Sequence, residues 1–193
     1  MSFRLTSLLI SLSMAFLVQA DDRKPLQLET LMEMLAGAPT GSVRFTERKT
    51  IALLKKPLQL SGTLEFQKPS HLEKHIVSPY QQRYVVDGND VSIDEPAKNL
   101  HQRLSLSDYP GLQAFVESIR APLAGDLATL QRYYRVSLGG SSKNWLLALV
   151  PSDPEMTKLV RSVWVRGSED RMREIEIEEV NGDRSVMTIE LAP

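Results

Sequence analysis

From Leu58 to Lys68 the chain alternates with a period of two. Leu58, Leu60, Leu64 and Phe66 take even positions, and Gln59, Ser61, Thr63, Glu65 and Gln67 take odd ones. Successive side chains of a strand point to opposite faces, so this stretch predicts a strand with one apolar and one polar face. After the Lys68-Pro69-Ser70 break the pattern resumes over His71–Val77, and after Pro79 over Gln82–Val86. Asp87-Gly88-Asn89-Asp90 then leads into Val91 and Ile93. Asp-Gly between alternating segments predicts a hairpin. A last member, Leu100–Leu106, sets Leu100, Leu104 and Leu106 against His101, Arg103 and Ser105.

The flanking segments change period. Leu28, Leu31, Met32 and Leu35 recur at i, i+3, i+4 and i+7, which predicts a helix over Leu26–Leu35 ended by Gly37-Ala38-Pro39. Val43–Leu54 returns to a strand, with Val43 and Phe45 inward and Arg44, Thr46 and Arg48 outward. Lys55-Lys56-Pro57 turns the chain. Beyond the central strands, Ser107-Asp108-Tyr109-Pro110 reads as a side-chain-capped helix start. Leu112, Phe115, Val116, Ile119 and Leu123 form an apolar stripe. Pro122 and Gly125 are expected to break this helix, and Asp126 to cap a short second one carrying Leu127 and Leu130. Strand patterns follow over Tyr133–Leu138, Trp145–Val150, Leu159–Arg166 and Arg171–Val180, with turns at Gly139–Ser142 and Asn181-Gly182. Met187, Ile189 and Leu191 close the inward face. About ten strands and three helices, in the order α, many β, α–α, many β, predict an α+β domain on one large curved antiparallel sheet. A sheet of that size curls, and helices laid into its concave side would cover the apolar face.

Residues 1–20 read as a signal peptide. Arg4 supplies a positive start, Leu8–Val18 an apolar run too short for comfortable membrane spanning, and Val18-Gln19-Ala20 the small residues of a cleavage site after Ala20. The expected mature chain, 21–193, is a single periplasmic domain. With no cysteine it has neither a disulfide nor an acylation site, and must fold on its core alone. Removing Arg4 takes the 23 basic residues to 22 against 24 acidic, a net charge of −2. No basic stripe with interleaved aromatics appears, so nucleic acid is not an expected partner.

Catalytic chemistry is poorly represented. There is no Gly-x-Ser-x-Gly elbow, P-loop or dinucleotide fingerprint. His71, Glu73 and His75 share a strand face, but Leu72 and Ile76 point the other way, so the trio is read as solvated rather than metal-binding. Asp87, Asp90 and Asp94 lack calcium-loop spacing. Glu174, Glu176 and Glu178 read as a wetted, like-charged strand face. No catalytic residue, metal site or cofactor is expected.

Certain segments together resemble a known family. Val43-Arg44-Phe45-Thr46-Glu47-Arg48-Lys49 and Leu60–Pro69 look like the LolA family of periplasmic lipoprotein carriers. Ser78-Pro79-Tyr80, Val85–Gly88, Val91–Asp94, Trp145–Pro151 and Asn181-Gly182-Asp183 follow in the same order. The resemblance implies an unclosed β-barrel with a helical lid over a hydrophobic cavity that shelters acyl chains. Alternation and resemblance together nominate a lining of Phe45, Leu60, Leu64, Phe66, Leu72, Ile76, Tyr84, Val86, Ile93 and Leu104. Leu112, Phe115, Val116 and Ile119 complete it from the lid. The family pattern has an arginine latching the lid where this chain has Lys68, which lacks the planar fork. The chain also stops at Pro193 without the C-terminal extension of the main carriers, and Tyr109–Leu130 is longer than their helical segment. These departures from the family pattern imply a divergent paralogue, one serving a lipid exporter rather than the main lipoprotein route. The expected function is carriage of an acylated cargo, lipoprotein or lipid, by a monomer between an inner-membrane exporter and an outer-membrane acceptor. The main rival is a lipid-sensing regulatory module of the same fold. A lipid-modifying enzyme, with His101 or Asp108 as its only candidates, ranks third.

Overall fold

The computed structural model describes residues 25–190. The predicted leader, its cleavage point and Leu191 lie outside them. In chain order the elements are α1 (Leu28–Gly37), β1 (Gly41–Thr50), β2 (Leu58–Gln67), β3 (His71–Ser78), β4 (Gln82–Asp87), β5 (Asp90–Glu95) and β6 (Leu100–Ser105). Then come α2 (Pro110–Ala124), α3 (Leu127–Tyr133), β7 (Tyr134–Ser141), β8 (Asn144–Pro151), β9 (Val160–Ser168), β10 (Arg171–Glu179) and β11 (Arg184–Glu190).

The strands build one antiparallel sheet in the order β6-β5-β4-β3-β2-β1-β11-β10-β9-β8-β7. β6 and β7 are free edges, so the barrel is unclosed. The decisive seam is β1 against β11, where Phe45 faces Ile189 and Glu47 faces Met187. It joins the first meander to the second, although the helical pair separates them in sequence.

Alternation decides which face each strand buries. In β8, Trp145, Leu147 and Leu149 point inward and are fully buried, while Leu146 and Val150 are exposed. Their inward neighbours across the ladders are Gly167, Val165 and Val163 of β9. All three helices cover this second meander. Leu31, Met32 and Leu35 of α1, Ala114 and Ala121 of α2, and Leu130 of α3 pack with those strand residues in the main core. Tyr134 is buried there too, its hydroxyl donating to the Ala114 carbonyl at 2.9 Å.

Several local expectations are corrected. β1 ends at Thr50, and Ile51–Lys56 forms the turn rather than more strand. Pro122 does not break α2: it lies in the last turn, where its missing N–H costs one helical bond, and the helix ends at Gly125 with φ +72°. No side chain caps the start of α2: its N-cap position falls on Tyr109, and Ser107, two residues earlier, is engaged with Asn89 and Ser105. Asp126 does cap α3, accepting from the Thr129 amide at 2.9 Å. Gly139 and Gly140 lie inside β7, and the turn falls after Ser141. Leu100 is exposed on the edge strand β6. Glu174, Glu176 and Glu178 are not a bare charged face. Glu176 is only 6 % exposed, held between Arg166 (2.9 Å) and Arg184 (2.6 Å). Glu174 pairs with Arg166, and Glu178 with Arg161.

Candidate binding cavity

The helices do not cover the concave face evenly. Between the end of α1, the C-terminal half of α2 and the strands β1, β2, β10 and β11 lies a cavity of about 350 Å³. Its apolar wall comes from Leu35, Val43, Leu64, Phe66, Ile119 and Ile175, joined by Leu72, Leu123, Met172 and Ile189. Its rim is polar, with Thr40, Ser42, Glu65, Lys68, Asp170 and Arg171. The rim lies at the end of the half-barrel where β2 turns into β3 and β9 into β10.

The nominated lining residues divide into three groups, with Phe115 apart from all of them. Leu64, Phe66, Leu72 and Ile119 line this cavity, as does Lys68. Phe45, Leu60, Ile76 and Tyr84 pack together further along the concave face, with Met187. Val86, Ile93, Leu104, Leu112 and Val116 pack with Val91 and Leu106, where α2 lies over β4–β6. Phe115 turns toward the main core.

Two basic side chains fasten the helices at the cavity end. Lys68 donates its ammonium to the Ala36 carbonyl and, at 3.2 Å, to that of Ala38. It holds the C-terminal turn of α1, where exposed carbonyls and the helix dipole favour a cation. The helix α2 is held from its own side. Arg120 donates to the Gly88 carbonyl of the β4–β5 turn and reaches the Ser70 carbonyl at 3.5 Å, while pairing with Glu117.

A charged cluster that pattern reading missed sits on the concave face beyond the cavity. Glu47, 4 % exposed, faces inward two residues after Phe45. It pairs with Lys74, accepts from the Ser185 hydroxyl and lies 3.6 Å from Lys49. The Lys74 ammonium stands 5.0 Å from the centre of the Phe45 ring. Burial opposes ionisation of Glu47, but Lys74 and Lys49 beside it and its hydrogen bonds outweigh that and hold its pKa below the ordinary carboxylate value. For Lys74 burial wins, and its pKa is lowered despite the pull of Glu47. The signal was present in period two: Val43, Phe45, Glu47 and Lys49 share a face, as do Leu72, Lys74 and Ile76. Among the described residues no group of His, Asp or Glu is arranged to hold a metal ion. His71 and Glu73 are on the opposite face from Lys74, where Glu73 accepts a two-pronged bond from Arg83 at 2.6–2.7 Å.

The model of the outer membrane lipoprotein carrier protein LolA-like family matches residues 20–191. The chain belongs to that family. Comparison with curated proteins gives no match. Among solved structures, the LolA-like chain is similar to a LolA superfamily protein from Nitrosomonas europaea: 14% identity, 86% of this chain and 92% of that one covered, TM-score 0.44. A DUF1329 family protein from Desulfovibrio piger covers 84% of this chain and 88% of its own, at 14% identity and TM-score 0.48. MucB of Pseudomonas aeruginosa, in its complex with MucA, matches at 14% identity and TM-score 0.43 over 86% of this chain and 58% of its own. In this LolA-like chain, the curved sheet and the helices across its concave side are what alternation anticipated, and the unclosed barrel with an apolar cavity is what the family resemblance implied.

Proposed function

We propose that the chain is a periplasmic carrier that shelters an acyl chain of a lipoprotein or lipid and passes it from inner-membrane export machinery toward the outer membrane. The observation that supports this reading best is the cavity of about 350 Å³, with its apolar wall and polar rim. At roughly 30 Å³ per methylene, close to the volume of a water molecule in the liquid, it takes a chain of about a dozen carbons. Each methylene moved from water into such a wall gains about 0.8 kcal/mol, so a chain of that length crosses an aqueous space far more readily under cover. The polar rim leaves a headgroup or peptide in water. Lys68 and Arg120 fasten the covering helices by hydrogen bonds to carbonyls, links that break and reform without repacking a core.

Native mass spectrometry of gently purified exported protein, with organic extraction of any adduct, tests the reading. A bound acylated species is the expected result. Uptake of a fluorescent fatty acid should be lost in Phe66→Asn and Ile119→Asn variants that keep their strand content by circular dichroism. A clean apo mass together with no uptake by the unaltered chain would end the carrier reading.

A further inference from the structure

The half-barrel has two unlike ends. At the end away from the cavity rim, β1 turns into β2, β3 into β4, β5 into β6, β8 into β9 and β10 into β11. Among the described residues, ten large apolar side chains are exposed, and eight of them lie in or beside these turns: Leu53, Leu54, Val77, Tyr80, Leu100, Val150, Leu159 and Val180. Concentration of apolar surface at one end marks an interaction site.

Its centre is the β1–β2 turn. Leu53 is 95 % exposed and Leu54 is 50 % exposed, and exposed Lys55 and Lys56 follow directly. The turn is braced from below, because the Ala52 amide donates to Asp183 Oδ1 at 2.8 Å. That bond ties it to the β10–β11 turn, and the Val180 amide donates to the Leu159 carbonyl at 3.0 Å. Leu53, Leu54, Val180 and Leu159 thus ride on one connected rim. The acidic groups around it are largely engaged. Asp183 holds Ala52, Glu155 pairs with Lys158 at 2.6 Å, and Glu178 pairs with Arg161 at 2.7 Å. Exposed Glu179 is the remaining acid of the β10–β11 turn.

We propose that this end docks onto an anionic phospholipid bilayer, with Leu53 and Leu54 entering the acyl region and Lys55 and Lys56 meeting the headgroup phosphates. The pairing of protruding leucines with adjacent cations is what carries the choice of occupant. Leu53, 95 % exposed, and Leu54 stand out of the surface at the tip of the turn, and a fluid interface closes around such protruding side chains without a preformed complementary shape. The two lysines add the attraction that an anionic leaflet supplies. Docked this way, the protein keeps the cavity rim, at the opposite end, facing away from the bilayer and open to a donor. The inference is independent of what the cavity holds.

The test is co-flotation of the exported full chain with phosphatidylcholine vesicles containing 30 mol% phosphatidylglycerol (about, by mixing), against pure phosphatidylcholine vesicles. The unaltered chain is expected to float with the anionic vesicles and to be released by salt. Leu53→Ser with Leu54→Ser should weaken binding about tenfold or more. Lys55→Glu with Lys56→Glu should abolish the preference for anionic lipid. Both variants alter exposed positions and should take up fluorescent fatty acid like the unaltered chain, which separates this inference from the carrier reading. No vesicle binding by the unaltered chain, or equal binding by the Leu53/Leu54 variant, overturns it. Capture by a purified membrane protein's soluble segment without vesicle binding also overturns it.

Discussion

The two meanders of the sheet use the same alternation and reach opposite solutions. In β7–β10 the inward positions are filled by Trp145, Leu147, Leu149, Val163 and Val165, and three helices seal them into one dry core. In β1–β6 the inward positions split between two smaller apolar groups, with the Glu47–Lys74 pair set among them and the cavity at one end. The cavity lies at the join of the two, walled by β1 and β2 on one side and β10 and β11 on the other, while the Glu47–Lys74 pair belongs to the first meander and the largest continuous packing to the second. On the proposed carrier reading, such a division lets the loosely packed part yield while the close-packed core, which does not deform gradually, stays intact.

The comparison is broken most severely at Trp145. Its ring packs on Gly167, where a Cβ would lie 2.1 Å from ring carbon Cζ2, and its indole N–H donates to the Glu169 carbonyl at 3.0 Å. Trp145→Ala should cost about 3–5 kcal/mol in urea denaturation. Phe66→Ala should cost less, because that ring already borders a void and abandons fewer contacts. Equal losses would mean that the two halves are packed alike.

Next comes the buried pair. Lys74→Met leaves Glu47 and its charge under cover without its main partner, and should cost about 3 kcal/mol. Replacing both, with Glu47→Leu and Lys74→Met, should recover most of that loss, since the desolvation of the two charges disappears with them. A double variant as unstable as the single one would show that the pair itself holds the first meander together.

Arg120→Ala is expected to cost about 1–3 kcal/mol, by freeing carbonyls at the β2–β3 and β4–β5 turns and leaving Glu117 unpaired. Amide hydrogen exchange should quicken in α2 while β8 and β9 stay protected. Uniform quickening would contradict the division between the halves.

The smallest effect is on acid stability. The pKa of Glu47 is lowered by folding, so below its unfolded value, 4.5, the unfolded chain binds the proton more readily. Its contribution is present above that pH and is lost as pH falls through the folded pKa. The unaltered chain should therefore lose more melting temperature on acidification than Glu47→Gln does. Parallel curves would remove Glu47 from the acid response.

Strand identity, the Asp87–Asp90 and Asn181-Gly182 hairpins, the Asp126 cap and the α+β class were legible in the sequence. Each rests on local physics: side-chain period, turn chemistry or a cap within three residues. The apolar lining set was legible as a face, but its division was not. Phe66 borders a void while Phe115, half-buried, packs against the main core, a difference set by where α2 crosses the sheet. Lys68 illustrates the same limit. The family resemblance marked it as a latch, but only packing decided that it holds the end of α1 while Arg120 holds α2. Glu47 and Lys74 lie 27 residues apart, on strands with β2 between them. Their burial arises because the curved sheet brings inward positions of β1 and β3 close enough to share one pocket. The β1–β11 seam, which unites two meanders 138 residues apart at Glu47 and Ser185, is likewise a tertiary result. Alternation specifies which face of a strand is buried; only the curvature of the assembled sheet specifies what that face is buried against.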